Sequence, residues 1–277
     1  MVLSMLKNER DKKILQQLLR DGEVTVLQLA ERLNTSTMTV RRDLTDLERA
    51  GLLRRIHGGA IQVEPMFYEP FRYLPSFVGQ EQLHAAEKRR IGLAAAEIVK
   101  DGETIALGAG TTTTQVGRSL RHRKGITVVT NALNIGMELS HQANLKIIVT
   151  GGSMSSESFA LTGSLGIAAV GDMFYDKAFI GVDGIHPDHG LTTNYPDQAT
   201  VHRAMIRQSR QRIVVADHSK IGNVGTALIA PITNVDLIIT DDSASQKLSE
   251  FSAKILKVYE LSDPCDFLRL QHVRKSC

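Results

Sequence analysis

Cysteine is scarce in this chain. Of 277 residues only two are cysteine, Cys265 and Cys277, both close to the C-terminal end. Two such thiols build neither a disulfide framework nor a metal-ligand cluster, and they read as ordinary thiols of a reducing cytoplasm. Long apolar runs are missing as well: no run approaches the ~20 residues that a membrane span requires. Met5 and Leu6 are followed at once by Lys7, Glu9, Arg10 and Asp11, which excludes the hydrophobic stretch of a secretory signal. His84, His141, His186, His189, His202 and His218 show no metal-ligand spacing, so no metal and no cofactor is expected. A soluble, cytoplasmic protein with no membrane partner is the expectation.

Charge of one sign is also in short supply. There are 33 Lys/Arg against 30 Asp/Glu, a formal net charge of +3. Its placement is uneven. Residues 1–62 carry 11 basic and 8 acidic side chains, and the remainder carries 22 of each. The small positive excess therefore lies at the N-terminal end, as expected of a module that touches nucleic acid. With 42% hydrophobic residues the chain has core material for two domains. Its patterning predicts a first domain at residues 1–63, a linker at 64–80 and a second domain at 81–277.

The most informative stretch runs over residues 34–60. Thr35, Ser36 and Thr37 are good N-cap residues. Val40, Leu44 and Leu47 then recur at the spacing of one helical stripe, with Arg41, Arg42 and Thr45 on the opposite side. Gly51 stands where a left-handed C-cap is expected. Leu52, Leu53, Arg54, Arg55 and Ile56 read as a strand, His57-Gly58-Gly59 as a tight turn, and residues 60–63 as a returning strand. Upstream, residues 7–20 form a helix pattern with Ile14, Leu15, Leu18 and Leu19 inside, and Thr25 can cap a short helix carrying Val26, Leu29, Ala30 and Leu33. Helix, short helix, turn, helix and basic hairpin make a winged helix-turn-helix. Its third helix fits a major groove, where an arginine can donate twice to guanine. The candidate DNA contacts are Ser36, Thr37, Thr39, Arg41, Arg42, Thr45, Arg54, Arg55 and His57.

The residues that carry this pattern are Val26, Leu29 to Asn34, Ser36, Thr39 to Leu44, Leu47, Glu48, Gly51 to Leu53, Arg55 and His57 to Ala60. In identity and spacing, without a gap, they resemble the N-terminal signature of the DeoR family of bacterial transcription regulators. The resemblance implies double-stranded operator DNA as a partner.

Beyond the head, Pro65, Pro70 and Pro75 are interleaved with Phe67, Tyr68, Phe71, Tyr73 and Phe77. Prolines so spaced predict a linker, and its aromatics predict that it packs on the second domain or on a partner subunit. A helix is expected over 81–100. Strands are expected at 104–107, 126–130, 145–150, 177–182, 212–216, 235–240 and 255–259, with helices over 132–140, 200–209 and 244–254 among the connections. Alternating strands and helices predict an α/β fold whose parallel sheet is covered on both faces.

Glycine and polar residues gather at the carboxyl end of strand after strand, which is the ligand edge of such a sheet. The sharpest of these edges is the loop Gly108, Ala109, Gly110, Thr111, Thr112, Thr113, Thr114. A strand, a glycine turn and a helix opening on threonines bring together free N–H groups, hydroxyls and a positive helix end, which suits a phosphate. No Gly-Lys-Ser/Thr follows, so it is not a Walker loop, and Thr113 occupies the third glycine position of a dinucleotide fingerprint. Lys88, the 108–112 loop, Asn131, Gly151-Gly152, residues 179–185 and Asp217-x-Ser219-Lys220 are similar to the C-terminal effector domain of the DeoR family. That domain is related in fold to ribose-5-phosphate isomerase and senses a phosphorylated sugar or related metabolite. The resemblance implies that Lys88, Gly108, Ala109, Gly110, Thr111, Thr112, Thr113, Asn131, Gly152, Asp183 and Lys220 bind the effector. Taken alone, Asp183 and Asn131 also fit structural turn residues, and Lys220 a surface lysine. Two positions depart from the family: many members have Asp where Gly108 stands and Arg where Gln80 stands.

Two functions of different class follow. One is a repressor of a carbohydrate-catabolic operon tuned by a sugar phosphate, not an enzyme, acting as a homodimer or homotetramer. The other is a sugar-phosphate isomerase-like enzyme with a DNA-binding head. Isomerase chemistry needs a placed general base, and residues 190–194, Gly-Leu-Thr-Thr-Asn, supply no carboxylate after Asp183.

Overall fold

The computed structural model describes residues 9–49, 52–62, 75–155, 157–244 and 254–258. The head opens with helix α1 (Glu9–Asp21), strand β1 (Glu23–Thr25) and helix α2 (Val26–Arg32). Helix α3 (Thr37–Arg49) and the hairpin β2 (Leu53–Ile56) and β3 (Gly59–Gln62) complete it. As expected, Thr25 starts α2: its Oγ1 accepts from the Gln28 N–H at 3.2 Å. Asn34 takes the turn into α3 with φ 47, a left-handed conformation that asparagine tolerates. Ser36 Oγ accepts from the Thr39 N–H at 3.1 Å and caps α3. Ile14, Leu18, Leu29, Val40, Leu44 and Leu53 meet in one buried cluster. β3 lies between β1 and β2, antiparallel to both. Gly59 permits that pairing, since a Cβ there would come within 2.0 Å of the Val24 carbonyl oxygen. The Gly51 cap expectation lies outside the described residues.

The linker expectation needs correction at its end. Pro75 does not break structure; it opens helix α4 (Pro75–Gln82), at the first position, where the missing N–H costs nothing. Phe77 is buried there, edge-to-face on Phe159 with ring centroids 5.1 Å apart. Nor is 81–100 one helix. His84 at φ 54 separates α4 from helix α5 (Ala85–Glu97).

The second unit is built on strands β4 (Thr104–Leu107), β5 (Ile126–Thr130), β6 (Leu145–Val149), β9 (Tyr175–Ile180), β12 (Ser209–Val215), β14 (Leu237–Asp241) and β15 (Lys254–Val258). They lie in the order β15-β14-β12-β9-β4-β5-β6, and every pairing is parallel. Alternation along the strands sorts the apolar side chains into two cores. Ile105, Leu107, Val128, Phe179, Ile213 and Ile239 face α5 and helices α6 (Thr111–Ser119) and α7 (Leu133–Leu139). Ala106, Val129, Ala178, Ile180, Val214 and Ile238 face helices α8 (Ser164–Gly171) and α9 (Pro196–Arg207). This is the double coverage a parallel sheet requires. Sequence patterning missed α8, the short hairpin β7 (Ser153–Met154) and β8 (Leu161–Thr162), and an antiparallel sheet of β10 (Gly184–His186), β11 (Gly190–Thr193) and β13 (Ala227–Ala230). The helix expected over 244–254 falls almost wholly outside the described residues.

α5 touches the head. Arg89 Nε donates to the Arg20 carbonyl at 3.0 Å, and its guanidinium lies beside Gly22, whose φ of 79 turns the chain out of α1.

Candidate functional site

Two surfaces carry chemistry. On the head, Arg41, Arg42, Arg54, Arg55 and His57 are exposed, on α3 and the wing hairpin. α3 offers them from a rigid base because Val40, Leu44 and Leu47 are each 2% exposed or less. Asp43 points inward instead and anchors α3 to α1: Arg10 donates to it at 2.5 and 3.0 Å. Arg55 bridges helix and wing, with Nη1 donating to Thr45 Oγ1 at 3.0 Å and its N–H to Glu48 at 2.7 Å. Thr45 in turn donates to the Arg41 carbonyl at 2.8 Å. Ser36 and Thr39 are bonded to each other at 2.8 Å, so their hydroxyls serve first as a cap, beside Thr37 at the helix start. Met38 was missed. It is 80% exposed on the first turn of α3, off the apolar stripe, which is the signal that could have found it. A thioether there can contact a base edge or thymine methyl.

The second surface is the carboxyl edge of the sheet, where the loop after β4 meets the segments after β5, β6, β9 and β12. Gly110 ends the loop at φ 154 and caps α6, and the Thr114 N–H returns to its carbonyl at 3.0 Å. The N–H groups of Thr111, Thr112 and Thr113 are therefore the first-turn donors of α6 that have no partner within the helix. The threonine hydroxyls behave otherwise than expected. Thr113 Oγ1 and Thr114 Oγ1 both donate to the Gly110 carbonyl at 2.8 Å, and Thr113 is fully buried. They tighten the turn and leave anion contact to the backbone and to Thr111, the partly exposed residue of the series.

Three further residues expected to bind the effector have structural ties of their own. Asn131 is fully buried; its Oδ1 accepts from the Ala109 N–H at 2.9 Å and its Nδ2 donates to the Leu161 carbonyl at 3.2 Å. Asn131 thus clamps the loop, and the Ala109 N–H is spent on it. Lys88 is buried, with Nζ donating to the Gln80 carbonyl, so it ties α5 to α4. Desolvation pushes the Lys88 ammonium below its usual range, and nearby Asp217 only partly offsets this. Gly152 is exposed on the edge at φ 118, where a Cβ would lie 2.3 Å from the Thr162 carbonyl oxygen, so its first role is to let the chain pass.

Asp183 and Lys220 are brought together, Nζ to Oδ1 4.0 Å, and each stays partly open to solvent. Asp183 Oδ2 accepts from Thr193 Oγ1 and from the Asn194 N–H, both at 2.9 Å, which fixes the carboxylate and leaves Oδ1 toward Lys220. Lys220 closes the turn His218–Lys220, which Asp217 caps by accepting from the Ser219 N–H at 3.1 Å. His218 Nδ1 pairs with buried Asp241 at 2.9 Å, and its ring stacks edge-on with His84 at 4.6 Å. Gln198 on α9 donates to the Ala109 carbonyl at 2.9 Å, a loop support that only the tertiary fold reveals. The edge thus offers oriented N–H groups, the Lys220 ammonium and the Asp183 carboxylate as an acceptor for hydroxyls: elements for holding a small polar anion. Among the described residues no helix is long and apolar enough to cross a membrane.

The DeoR-like helix-turn-helix domain model matches residues 10–65, and the DeoR C-terminal sensor domain model matches residues 83–242. The uncharacterized HTH-type transcriptional regulator YgbI of Escherichia coli is 35% identical over 90% of this chain and 96% of its own. The HTH-type transcriptional repressor GlcR of Bacillus subtilis is 35% identical over 87% of this chain and 91% of its own. Ribose 5-phosphate isomerase A of Methanocaldococcus jannaschii is similar over 50% of this chain and 55% of its own, at 18% identity and a TM-score of 0.38, a partial likeness that bears no weight on function. Head and sensor match together, in order and over most of the chain, and the chain belongs to the DeoR family of DNA-binding transcriptional regulators.

Proposed function

We propose that this regulator represses a carbohydrate-catabolic operon and that a phosphorylated sugar, bound at the carboxyl edge of the sensor sheet, controls its grip on operator DNA. One observation carries the reading: the N–H groups that open α6, without partners within the helix, share an edge with the Lys220–Asp183 pair. The helix end and Lys220 suit a phosphate, and Asp183 Oδ1 suits a sugar hydroxyl. Thr111 acts through its backbone and its hydroxyl, Thr112 and Thr113 through their backbone; Gly108, Ala109, Asn131 and Lys88 act by holding the seat. Arg41 and Arg42 read bases, and Arg54, Arg55 and His57 meet phosphates. Binding without turnover is favoured because residues 190–194 bring no second carboxylate beside Asp183. A head this small rarely gives operator-level specificity alone, so the working form is a two-fold oligomer on repeated half-sites in the cytoplasm.

The test is fluorescence anisotropy of labelled operator, titrated with a panel of pentose and hexose phosphates beside a ribose 5-phosphate turnover assay. A dose-dependent change in operator affinity with at least one sugar phosphate, and no turnover, is expected. Turnover, or indifference to the whole panel, overturns the reading.

A further inference from the structure

His202 lies on α9, one turn beyond Gln198, and is 1% exposed. Neither ring nitrogen has a hydrogen-bond partner among the described residues. A neutral imidazole keeps one N–H donor and one acceptor, and leaving both unmet inside a protein opposes folding. Most buried polar groups are satisfied, so an orphaned one needs a reason. Its position supplies one. A Cβ at residue 108 would lie 2.8 Å from His202 Nε2. With glycine there, the ring edge reaches the backbone of the loop that carries the anion seat. Gln198 supports the same loop through the Ala109 carbonyl. Burial pulls the imidazole down to about 4, although nearby Asp183 favours its charged form. At neutral pH it is therefore an uncharged donor and acceptor directly beneath the loop that carries the anion seat.

We infer that His202 is a specificity-determining contact of the sensor pocket: through Nε2, alongside Gly108, it exchanges a hydrogen bond with a hydroxyl of the bound sugar phosphate. The inference rests on the reading that a sugar phosphate binds at this edge. A sugar hydroxyl both gives and takes a hydrogen bond, so it matches a neutral imidazole in either tautomer. Phosphate, an acceptor held by the first turn of α6, does not need this ring. Gly108 carries no side chain to shield the ring, so only its backbone stands between Nε2 and a ligand on the loop, and the contact requires that backbone to give way on binding. The orphaned nitrogens then have a function: their unmet bonds in the free chain are satisfied by the right ligand and left unmet by a ligand lacking that hydroxyl.

Four full-length proteins test this: wild type, His202→Leu, His202→Gln and Thr111→Asp. Calorimetry measures binding of the sugar phosphate that is active on operator release, and of inorganic phosphate as the bare anion. His202→Leu should raise the melting temperature, because it removes a buried unsatisfied group. It should weaken the sugar phosphate at least tenfold while leaving inorganic phosphate within twofold of wild type. His202→Gln, which keeps a donor and an acceptor, should recover part of the sugar-phosphate affinity. Thr111→Asp should weaken both ligands. Sugar-phosphate affinity unchanged in His202→Leu overturns the inference while the seat stands. Loss of both ligands in His202→Leu, unrestored by His202→Gln, also overturns it and marks a structural role. Thr111→Asp binding both ligands like wild type overturns the pocket reading itself.

Discussion

On the head, Arg41, Arg42 and Arg54 stand exposed above a scaffold closed by Val40, Leu44 and Leu47. At the carboxyl edge of the sensor sheet, Lys88, Ala109, Thr113 and Asn131 are buried and bonded to the chain around them. The difference follows from what each surface meets. A DNA backbone is an extended anion, and mobile surface cations gain affinity by releasing its counterions. A small ligand, as proposed for this edge, must be met by few donors already in place, and most side chains here hold the backbone.

The contrast can be broken most severely through a core residue of the head. Leu44 is fully buried, and Leu44→Ala should cost about 2–5 kcal/mol, a large share of the stability of so small a unit. Operator binding should collapse while sugar-phosphate binding, measured by calorimetry, persists. Loss of both would show that the two units do not fold independently. Next in size is Arg42→Ala, expected to cost roughly 1–3 kcal/mol in operator affinity and to relax preference at one base pair. Arg55→Ala should weaken all sequences alike and make the salt dependence shallower by about one. Equal losses on every sequence for both variants would remove base reading from Arg42. The smallest effect lies at the amino end of the sheet, away from the ligand edge. There Arg212 donates to Asp236 at 2.8 and 2.9 Å, and these bonds hold the carboxyl below its ordinary 3.8. A carboxylate so depressed stabilises the fold above its unfolded pKa, and the gain fades as pH falls through the lower folded value. Both side chains are about a third exposed, so Asp236→Asn should cost at most ~1 kcal/mol at neutral pH. Chemical denaturation should find no difference below the folded pKa; a difference that persists there would assign the effect to packing.

The head was legible residue by residue because its signals are local: Thr25 and Ser36 as caps, an apolar stripe, glycines in the wing turn. The sheet was legible too, since most of its strands run into a glycine or polar residue within two positions of their carboxyl ends. What sequence could not give was the choice of hydrogen-bond partner. Asn131 reaching back to Ala109, and Lys88 turning to the Gln80 carbonyl, depend on segments brought together only by folding. Pro75 was misjudged because the same ring that breaks a helix interior also starts a helix. His84 interrupts a good helical pattern through a backbone conformation that its side chain does not announce.

In the proposed function a phosphate seated on the first turn of α6 governs the grip of the head on operator. Thr111→Asp tests it most directly. A carboxylate at the first position of a helix suits the helix dipole, so folding should survive, but it occupies the place and charge of the ligand phosphate. Labelled operator is titrated with wild type and variant, without and with the active sugar phosphate, and anisotropy is read. The variant should bind operator like wild type and no longer respond to ligand, because a ligand shifts an equilibrium only through its differential affinity for the two states. An effector response equal to that of wild type would contradict the claim and place the phosphate elsewhere.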